Sequence, residues 1–475
     1  MSGMKGSTVA RVVALTLLGS SGAALATNGY FTHGVGAESK GMAGTGIGSN
    51  GFSGPIIVAS NPALGVFVDD SWEAGLSFFS PRRSFSASQS QLNGAIVNGV
   101  PTFAIGAGSF DSSSEWFPIP YVAKNWKLAN DRALTFVFYG RGGMNTDWDN
   151  SNASATSLAC DPTGQAPVTG PGPYCSGKAG VDLSQAFLSL NYAGKVSDRF
   201  TWGIGPVFAV QMFEANGVTA FTPFTKTFAS SILETGLPAP ATALSNNGHD
   251  MSYGWGIAGG VWFGLTDAVS VGLAYQSKMS MSEFDDYADL FAEAGGFDIP
   301  SSIKAGISFK ATPTARINLD VEHTSFSEVD SVGNPMINIG GCPTAGFGGT
   351  NLENCLGGNA GAGFGWEDMT TYKIGVEWAA NERDTFRFGY SYGEQPIQPA
   401  DVQFNILAPG VMEQHITFGW TRVRENGNAM TFSFMYAPEK SVRGPALFDN
   451  PFDPSQSQTI ELTMDQLEFE FSYRW

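Results

Sequence analysis

Fourteen segments of the chain alternate between apolar and polar residues, and the connections between them are alternately short and long. The carboxy-terminal segment shows the pattern most clearly, since its two sets of alternate positions are Leu467, Phe469, Phe471, Tyr473 and Trp475 on one side and Gln466, Glu468, Glu470, Ser472 and Arg474 on the other. A period of two places successive side chains on opposite faces of a β-strand. The chain is therefore predicted to be all-β, with one apolar and one polar face to its sheet.

The rhythm of the connections limits the architecture further. Strands are predicted over residues 72–86, 115–128, 133–143, 181–195, 199–213, 250–264, 268–282, 299–311, 314–328, 366–380, 384–393, 413–424, 428–438 and 463–475. Short turns at one end and long loops at the other are typical of transmembrane β-barrels. The prediction is a fourteen-stranded antiparallel barrel formed by residues 71–475, with both termini periplasmic because the strand number is even.

The amino terminus carries the features of an export signal. Lys5 and Arg11 supply positive charge, residues 12–18 are apolar, and residues 24–26 form a small-x-small cleavage site. Residues 1–26 are thus predicted to be a signal peptide, and the predicted location is the cell outer membrane. Residues 27–70 are rich in glycine and lack alternation, so they form a linker or a plug. A plug is favoured, because such a coil is better accommodated when packed inside a wall.

Composition argues against several other classes of protein. The mean hydropathy is -0.04, and beyond the amino terminus no stretch approaches the ~20 apolar residues of a spanning helix. The net charge of -18 argues against nucleic acid as a partner, because nucleic acids select Lys and Arg. The known hydrolase and nucleotide-binding motifs are missing and the four histidines lack ligand spacing. No enzymatic activity, cofactor or metal site is therefore predicted.

Four cysteines fit an exported protein. Cys160 and Cys175 lie in one Gly/Pro-rich stretch, and Cys342 and Cys355 lie in another. Two local disulfides, Cys160 with Cys175 and Cys342 with Cys355, are the simplest of the three pairings that four cysteines allow. They fall in the second and fifth long loops.

Several short stretches carry a family resemblance: Asn28-Gly29-Tyr30-Phe31 with Gly34 and Gly36, residues 38–44, Asn61-Pro62-Ala63, and residues 139–146 at the end of the third strand. In them the sequence resembles the outer-membrane transport proteins of the FadL/TodX type, and the resemblance extends over the whole mature chain. It implies a barrel closed by an amino-terminal hatch that contains Asn61, Pro62 and Ala63. It also implies capture of hydrophobic ligands by the third and fourth loops and lateral release beside a kinked third strand.

Apolar stripes in these two loops are candidate ligand contacts. The third loop has Phe221, Phe224, Phe228, Ile232 and Leu233 at helical spacing, and the fourth has Phe284, Tyr287, Leu290, Phe291 and Ala294. In soluble domains such stripes usually belong to the core. Outside a barrel, two apolar helices that face water would instead form a binding groove.

Glycines and cations supply the remaining candidates. Gly140, Gly142 and Gly143 interrupt the third strand, which predicts either a barrel corner or the kink of a lateral gate. Four cations are in phase with the lumen and could contact a ligand carboxylate: Arg141, Lys304, Lys373 and Arg387. For most of them, pairing with lumen acids such as Asp320, Glu322 and Glu377 is the favoured expectation.

These observations favour an outer-membrane channel for the uptake of hydrophobic compounds, with long-chain fatty acids as the leading ligand. The alternatives are an aromatic or alkane hydrocarbon channel of the same fold, a general porin, and a barrel-embedded enzyme or adhesin. The plug and the apolar loops disfavour a porin, and the missing catalytic motifs disfavour an enzyme. Expected partners are hydrophobic small molecules, outer-membrane lipid and lipopolysaccharide, and the assembly machinery that receives the carboxy-terminal strand. The chain is expected to be monomeric.

Overall fold

Fourteen antiparallel strands form one closed barrel in the computed structural model of the chain, which describes residues 27–149, 152–161 and 163–475. In chain order, β1 to β14 are Ser71–Ala87, Phe117–Leu128, Arg132–Asn145, Gly180–Ser197, Phe200–Asn216, Asp250–Gly264, Val269–Gln276, Ser302–Lys310, Ala315–Thr324, Met369–Ala379, Asp384–Gly393, Gln414–Val423, Ala429–Pro445 and Thr459–Arg474. The barrel closes where β14 pairs with β1, from Ile460↔Ala87 to Arg474↔Glu73. The predicted fourteen-stranded barrel is confirmed, whereas the predicted signal peptide, residues 1–26, lies outside the described residues.

The alternation of residue types determines which face of each strand points outward. On β14, Phe471 is 55% exposed, whereas the neighbouring Glu470 is 1% exposed. The polar positions therefore line the lumen and the aromatic positions cover the outer surface, as the predicted transmembrane barrel requires.

Two strand boundaries differ from the prediction by more than four residues. β13 continues to Pro445 instead of ending at residue 438, because a register shift between Ala437 and Lys440 removes Pro438 from the ladder. A bulge of this kind tolerates a residue that has no N–H. The seventh predicted strand is too long, since β7 ends at Gln276 and only Ser280–Met281 pairs again with β6.

The two ends of the barrel differ as predicted. Six short turns connect strands at one end, the turn end, and seven long loops connect them at the other, the loop end. Loops 1 to 7 cover residues 88–116, 146–179, 217–249, 277–301, 325–368, 394–413 and 446–458. Cys160 is bonded to Cys175 within loop 2, and Cys342 is bonded to Cys355 within loop 5. In the described part of the chain, no helix has the length and apolar character needed to cross a membrane.

Residues 27–70 form a plug inside the lumen. The plug contains a short hairpin, a helix α1 and two 3-10 turns: Thr27–Asn28 with Phe31–Thr32, Ala37–Lys40, Pro55–Ala59 and Pro62–Val66. Most of its described side chains are buried. The segment is therefore packed inside the wall, as predicted, rather than free as a linker.

Glycines on the lumen face of the wall make room for the plug backbone. A Cβ atom at Gly203 would lie 2.3 Å from the carbonyl carbon of Pro62, and one at Gly272 would lie 2.0 Å from the carbonyl oxygen of Ile47. These distances are far shorter than any ordinary van der Waals contact. The wall and the plug thus approach backbone to backbone, which a side chain at these positions would prevent.

Candidate functional site

β2 and β3 separate towards the loop end of the barrel. Their pairing ends at Tyr121↔Tyr139, and among the described residues no further pair joins the two strands. The next part of β2 contains Pro118 and Pro120, so two backbone donors are missing there. We call the unpaired stretch of wall between residues 117–120 and 140–145 the wall gap.

A bulge in β3 coincides with the wall gap. On β4, Gln185 pairs with Gly142 and the adjacent Ala186 pairs with Gly140, so Arg141 is the extra residue. An inserted residue bends its strand and increases the local twist. The glycines on both sides of Arg141 lower the steric cost of that bend. The predicted interruption of the third strand is therefore a bulge at Arg141.

The plug holds the separated end of β3. Phe31 pairs with Gly142, and the N–H of Gly143 donates to the carbonyl of Tyr30 at 3.0 Å. Residues 141–146 are all buried, whereas lower on β3 buried and partly exposed positions alternate. The end of β3 is therefore covered on both faces and is attached to the plug instead of to β2.

The Asn61-Pro62-Ala63 turn anchors the plug to the wall. The Asn61 Nδ2 donates to the carbonyls of Ile47 at 2.9 Å and Val261 at 3.2 Å. Its Oδ1 accepts from the N–H of Ala63 at 3.0 Å and so caps the 3-10 turn that Pro62 begins. One buried amide thus connects two parts of the plug with β6.

Three of the predicted lumen cations surround a single acid. Glu322 lies 3.1 Å from Lys304, 2.7 Å from Lys373 and 3.7 Å from Arg141. Because these three charges meet one carboxylate, the cluster carries a surplus of positive charge. An anionic group brought into the lumen would be attracted to this surplus.

The fourth predicted cation and one predicted acid have other roles. Arg387 pairs with Glu377 at 2.9 Å and with Glu38 of the plug at 3.7 Å. Asp320 was expected to pair with a cation, and within the described residues it has no ion pair. Its Oδ2 accepts instead from the N–H groups of Gly46 at 2.6 Å and Ile47 at 3.0 Å, because the plug backbone lies within hydrogen-bond distance of this carboxylate.

A polar cavity lies between the plug and the wall next to this cluster. It contains about 360 Å³ of space that no protein atom fills, counting its open side. Its lining combines plug residues with wall residues, including Ala59, Pro62, Tyr139, Arg141, Gln276 and Lys304. Arg141 and Lys304, which the sequence places far apart, therefore border the same space beside the bulge.

The loop stripes differ from their prediction in both structure and exposure. In loop 3 the stripe is divided into a 3-10 turn, Thr219–Phe224, and a helix α2, Lys226–Thr235, because Thr225 is extended and caps α2. Phe221 is buried, Phe224, Phe228 and Ile232 are half-buried, and Leu233 is exposed.

In loop 4 a helix is absent over most of the predicted stripe. A single 3-10 turn, Asp285–Tyr287, is followed by extended backbone at Phe291. The rings of Phe284, Tyr287 and Phe291 are buried against Phe213, with centroids 5.6, 4.9 and 4.6 Å away. The prediction of two helices facing water is therefore wrong, because the loops pack together on the barrel and supply a core of their own.

An apolar cavity remains within this loop core. It contains about 510 Å³ of unfilled space, counting its open side, and its exposed lining is almost entirely apolar. Three predicted loop residues line it, namely Phe221, Leu290 and Phe291. Loops 5 and 6 supply Leu356, Ala362, Phe364, Phe404 and Leu407, none of which the sequence predicted. Phe224, Phe228, Ile232, Phe284 and Tyr287 are not among its lining residues.

A buried acid joins loop 6 to loop 5 beside the cavity. Asp401 accepts a hydrogen bond from the N–H of Met336 at 2.7 Å and is 4% exposed. Burial raises the pKa of Asp401 to about 6, and the hydrogen bond from Met336 only partly opposes this shift. The contact between the two loops therefore depends on the charge of one carboxyl group.

Comparisons with known proteins support the barrel fold. The model of the family described as outer membrane protein transport protein (OMPP1/FadL/TodX) matches residues 171–443, more than half of the chain. A search of curated protein sequences gives no significant match. Among solved structures, the P. putida toluene transporter TodX is 13% identical with a TM-score of 0.61, covering 93% of this chain and 98% of that one.

Two further solved structures share the fold. A Pseudomonas aeruginosa FadL homologue is 14% identical with a TM-score of 0.56, covering 94% of this chain and 99% of that one. The Ralstonia pickettii toluene transporter TbuX is 14% identical with a TM-score of 0.55, covering 93% of this chain and 98% of that one. At these identities the likeness concerns the fold alone.

Proposed function

Because the chain belongs to the outer membrane protein transport protein family (OMPP1/FadL/TodX), whose members are transport channels and not enzymes, we propose that it takes up long-chain fatty acids. In this proposal the loop end faces the exterior and both termini are periplasmic. The observation that carries the proposal is the order of two binding spaces: an apolar cavity in the loops and a positively charged cavity beside the plug.

The apolar cavity is proposed as the first binding space. Its concave and almost entirely apolar lining is typical of sites that bind hydrophobic small molecules. A hydrocarbon chain gains about 25 cal/mol for each Å² of apolar surface that leaves water. Phe221, Leu290 and Phe291 offer such surface in loops 3 and 4, and Phe364 and Phe404 complete it from loops 5 and 6.

The lumen cluster is proposed to select a carboxylate. Arg141 and Lys304 border the polar cavity, and together with Lys373 they exceed the charge of Glu322. A fatty acid would add the missing negative charge, whereas a hydrocarbon would not. Arg387 is left out of this role, because Glu377 and Glu38 already neutralise it.

Lateral release through the wall gap is the proposed exit. The gap lies beside the Arg141 bulge, where the plug and not β2 holds β3. A small shift of the plug would free the ends of Gly142 and Gly143 and widen the gap. The ligand would then reach lipid without crossing the whole plug.

The runner-up is a channel for monoaromatic or alkane hydrocarbons. It is favoured by the nearly complete absence of polar lining in the loop cavity. A general porin is disfavoured, because residues 27–70 occupy the lumen and touch the wall backbone to backbone.

Filling the loop cavity tests the proposal. Ala362 is 5% exposed and lines the cavity, so Ala362→Trp should occupy the space and reduce fatty acid uptake roughly tenfold. Ala360→Trp is the matched control, since Ala360 lies on the same loop and outside the lining. Uptake is measured in whole cells beside heat-modifiable gel migration, which reports barrel folding. Normal uptake by folded Ala362→Trp would remove the cavity from the pathway.

A further inference from the structure

Arg83 on β1 is a buried cation that lacks a counter-charge. In the described part of the chain, six Lys and Arg side chains are buried: Lys40, Arg83, Lys124, Arg141, Lys373 and Arg387. The other five each form an ion pair, whereas none is formed by Arg83. Glu115 and Asp182 act on it only from beyond ion-pair distance. Because an unpaired charge is costly to bury, such a residue inside a membrane protein points to a function.

Neutral groups hold the Arg83 guanidinium in place. It donates hydrogen bonds to the carbonyls of Asn145 and Ser114, and it lies 5.5 Å from the centre of the Phe117 ring. Its Nε–H is buried and has no partner. Arginine binds carboxylates in a planar, two-pronged manner through such N–H groups. One donor of a held guanidinium is therefore still free.

These contacts place Arg83 at the rim of the wall gap. The gap is closed towards the loop end by the N–H of Ser113, which donates to the carbonyl of Asp147 at 2.8 Å. Next to this bond, on the side of the turn end, the Ser114 hydroxyl donates to the Asn145 side chain. Arg83 reaches both Ser114 and Asn145 and so spans the upper edge of the opening.

A cavity with about 340 Å³ of unfilled space, counting its open side, borders Arg83 on the inner side of the gap. Its lining includes Tyr30 at the start of the plug, Gly143 and Met144 of β3, and Gln466 of β14. The Tyr30 hydroxyl and the Gln466 Oε1 are further buried polar atoms without a hydrogen-bond partner, and of the two the hydroxyl can donate to a carboxylate. Unsatisfied polar atoms at one cavity indicate a polar ligand group.

We propose that Arg83 and this cavity bind the carboxylate of an amphipathic monocarboxylate while its chain passes through the wall gap. The site is separate from the cluster around Glu322, of which Arg141 and Lys304 line a different cavity. The inference rests on the proposed function, since it assumes transport through this barrel. It adds a second stop for the headgroup, at the point where the ligand leaves the lumen.

The test compares two ligands that differ only in charge, dodecanoate and dodecan-1-ol. Arg83→Gln should reduce dodecanoate uptake by whole cells roughly tenfold, because a charge-assisted hydrogen bond is lost, and should leave dodecan-1-ol uptake unchanged. Arg83→Lys keeps the charge and should restore part of the dodecanoate uptake. Arg82→Gln is the matched control, because Arg82 is the preceding residue, points outward and pairs with Asp465.

Each other outcome has a defined meaning. Equal changes for both ligands would show that Arg83 only braces the wall, and an unchanged dodecanoate rate would also overturn the site. If Arg83→Gln fails the heat-modifiability check, Arg83→Lys becomes the deciding variant. A carboxylate site predicts that Arg83→Lys takes up dodecanoate more slowly than the native protein and dodecan-1-ol at the native rate. If the native protein transports neither compound, the proposed function itself fails before Arg83 is tested.

Discussion

Replacement of Lys40 by Met should release the plug. The Lys40 Nζ on α1 lies 2.5 Å from both Glu468 and Glu470 of β14, and all three side chains are at most 6% exposed. Removing the ammonium leaves two buried carboxylates next to each other without a counter-charge. Breaking a buried ion pair from one side costs about 3–5 kcal/mol. The strand ladder does not depend on Lys40, so the cost falls on the attachment of the plug.

The magnitude follows from that cost. Each 1.36 kcal/mol changes an equilibrium tenfold, so the plug-released fraction should rise by roughly two to four orders of magnitude. The measurement is ion conductance in planar bilayers, with heat-modifiable gel migration as the folding check. Adding Glu468→Gln and Glu470→Gln to Lys40→Met should restore low conductance, because the repulsion is then removed.

A surface pair provides the control. Lys195 pairs with Asp198 at 2.8 Å, and the Asp198 side chain is 97% exposed. Exposed pairs contribute little, so Lys195→Met should leave conductance unchanged. If Lys40→Met folds and conducts like the native protein, the plug is not held by this ion pair and the reasoning fails.

Two further predictions concern the plug and the loops. Gly272→Ala should raise conductance, because its Cβ would lie 2.0 Å from the Ile47 carbonyl oxygen. Gly259→Ala should leave conductance unchanged, because the nearest atom to its Cβ would be 3.8 Å away. Equal conductance in the two variants would contradict the close approach of plug and wall. Burial raises the pKa of Asp401 to about 6, so its stabilising effect on loops 5 and 6 is complete below pH ~4 and is lost as the pH rises through 6. Hydrogen exchange of the Met336 amide should therefore be slower at pH 4 than at pH 7 after correction for intrinsic rates, and Asp401→Asn should abolish the difference. Persistence of the difference in that variant would assign it to another group.

The sequence alone was sufficient to predict the barrel, because its signal is local and repeated. One face of each strand meets lipid and the other meets the lumen, so apolar and polar residues alternate along it. Phe471 accordingly points outward and Glu470 points inward. The alternation of short and long connections then follows from antiparallel closure. Even so, the predicted strand ends at residue 438, whereas β13 continues to Pro445 after a bulge that removes Pro438 from the ladder.

The site was predicted only where its residues carry a local signature. The glycines around Arg141 marked the bulge, and Asn61-Pro62-Ala63 marked the plug turn. The wall gap could not be predicted in this way. It depends on Pro118 and Pro120, and whether their missing N–H groups leave a gap depends on which strand lies beside them. For Arg83, sequence reasoning found no signal at all.

The tertiary structure alone decided the rest, since those contacts join distant parts of the chain. The loop stripes have the spacing of exposed helices, and nothing in that spacing reveals that Phe213 covers Phe291. Phe364 and Phe404 of the loop cavity lack any periodicity that would mark them as neighbours of Phe221. The partner of a cation is likewise determined by what surrounds it in space. Three cations therefore contact the Glu322 carboxylate, whereas Arg83 contacts no carboxylate in the described part of the chain. Periodicity reports which face a residue occupies, whereas the identity of its neighbour depends on how loops and plug close on the barrel.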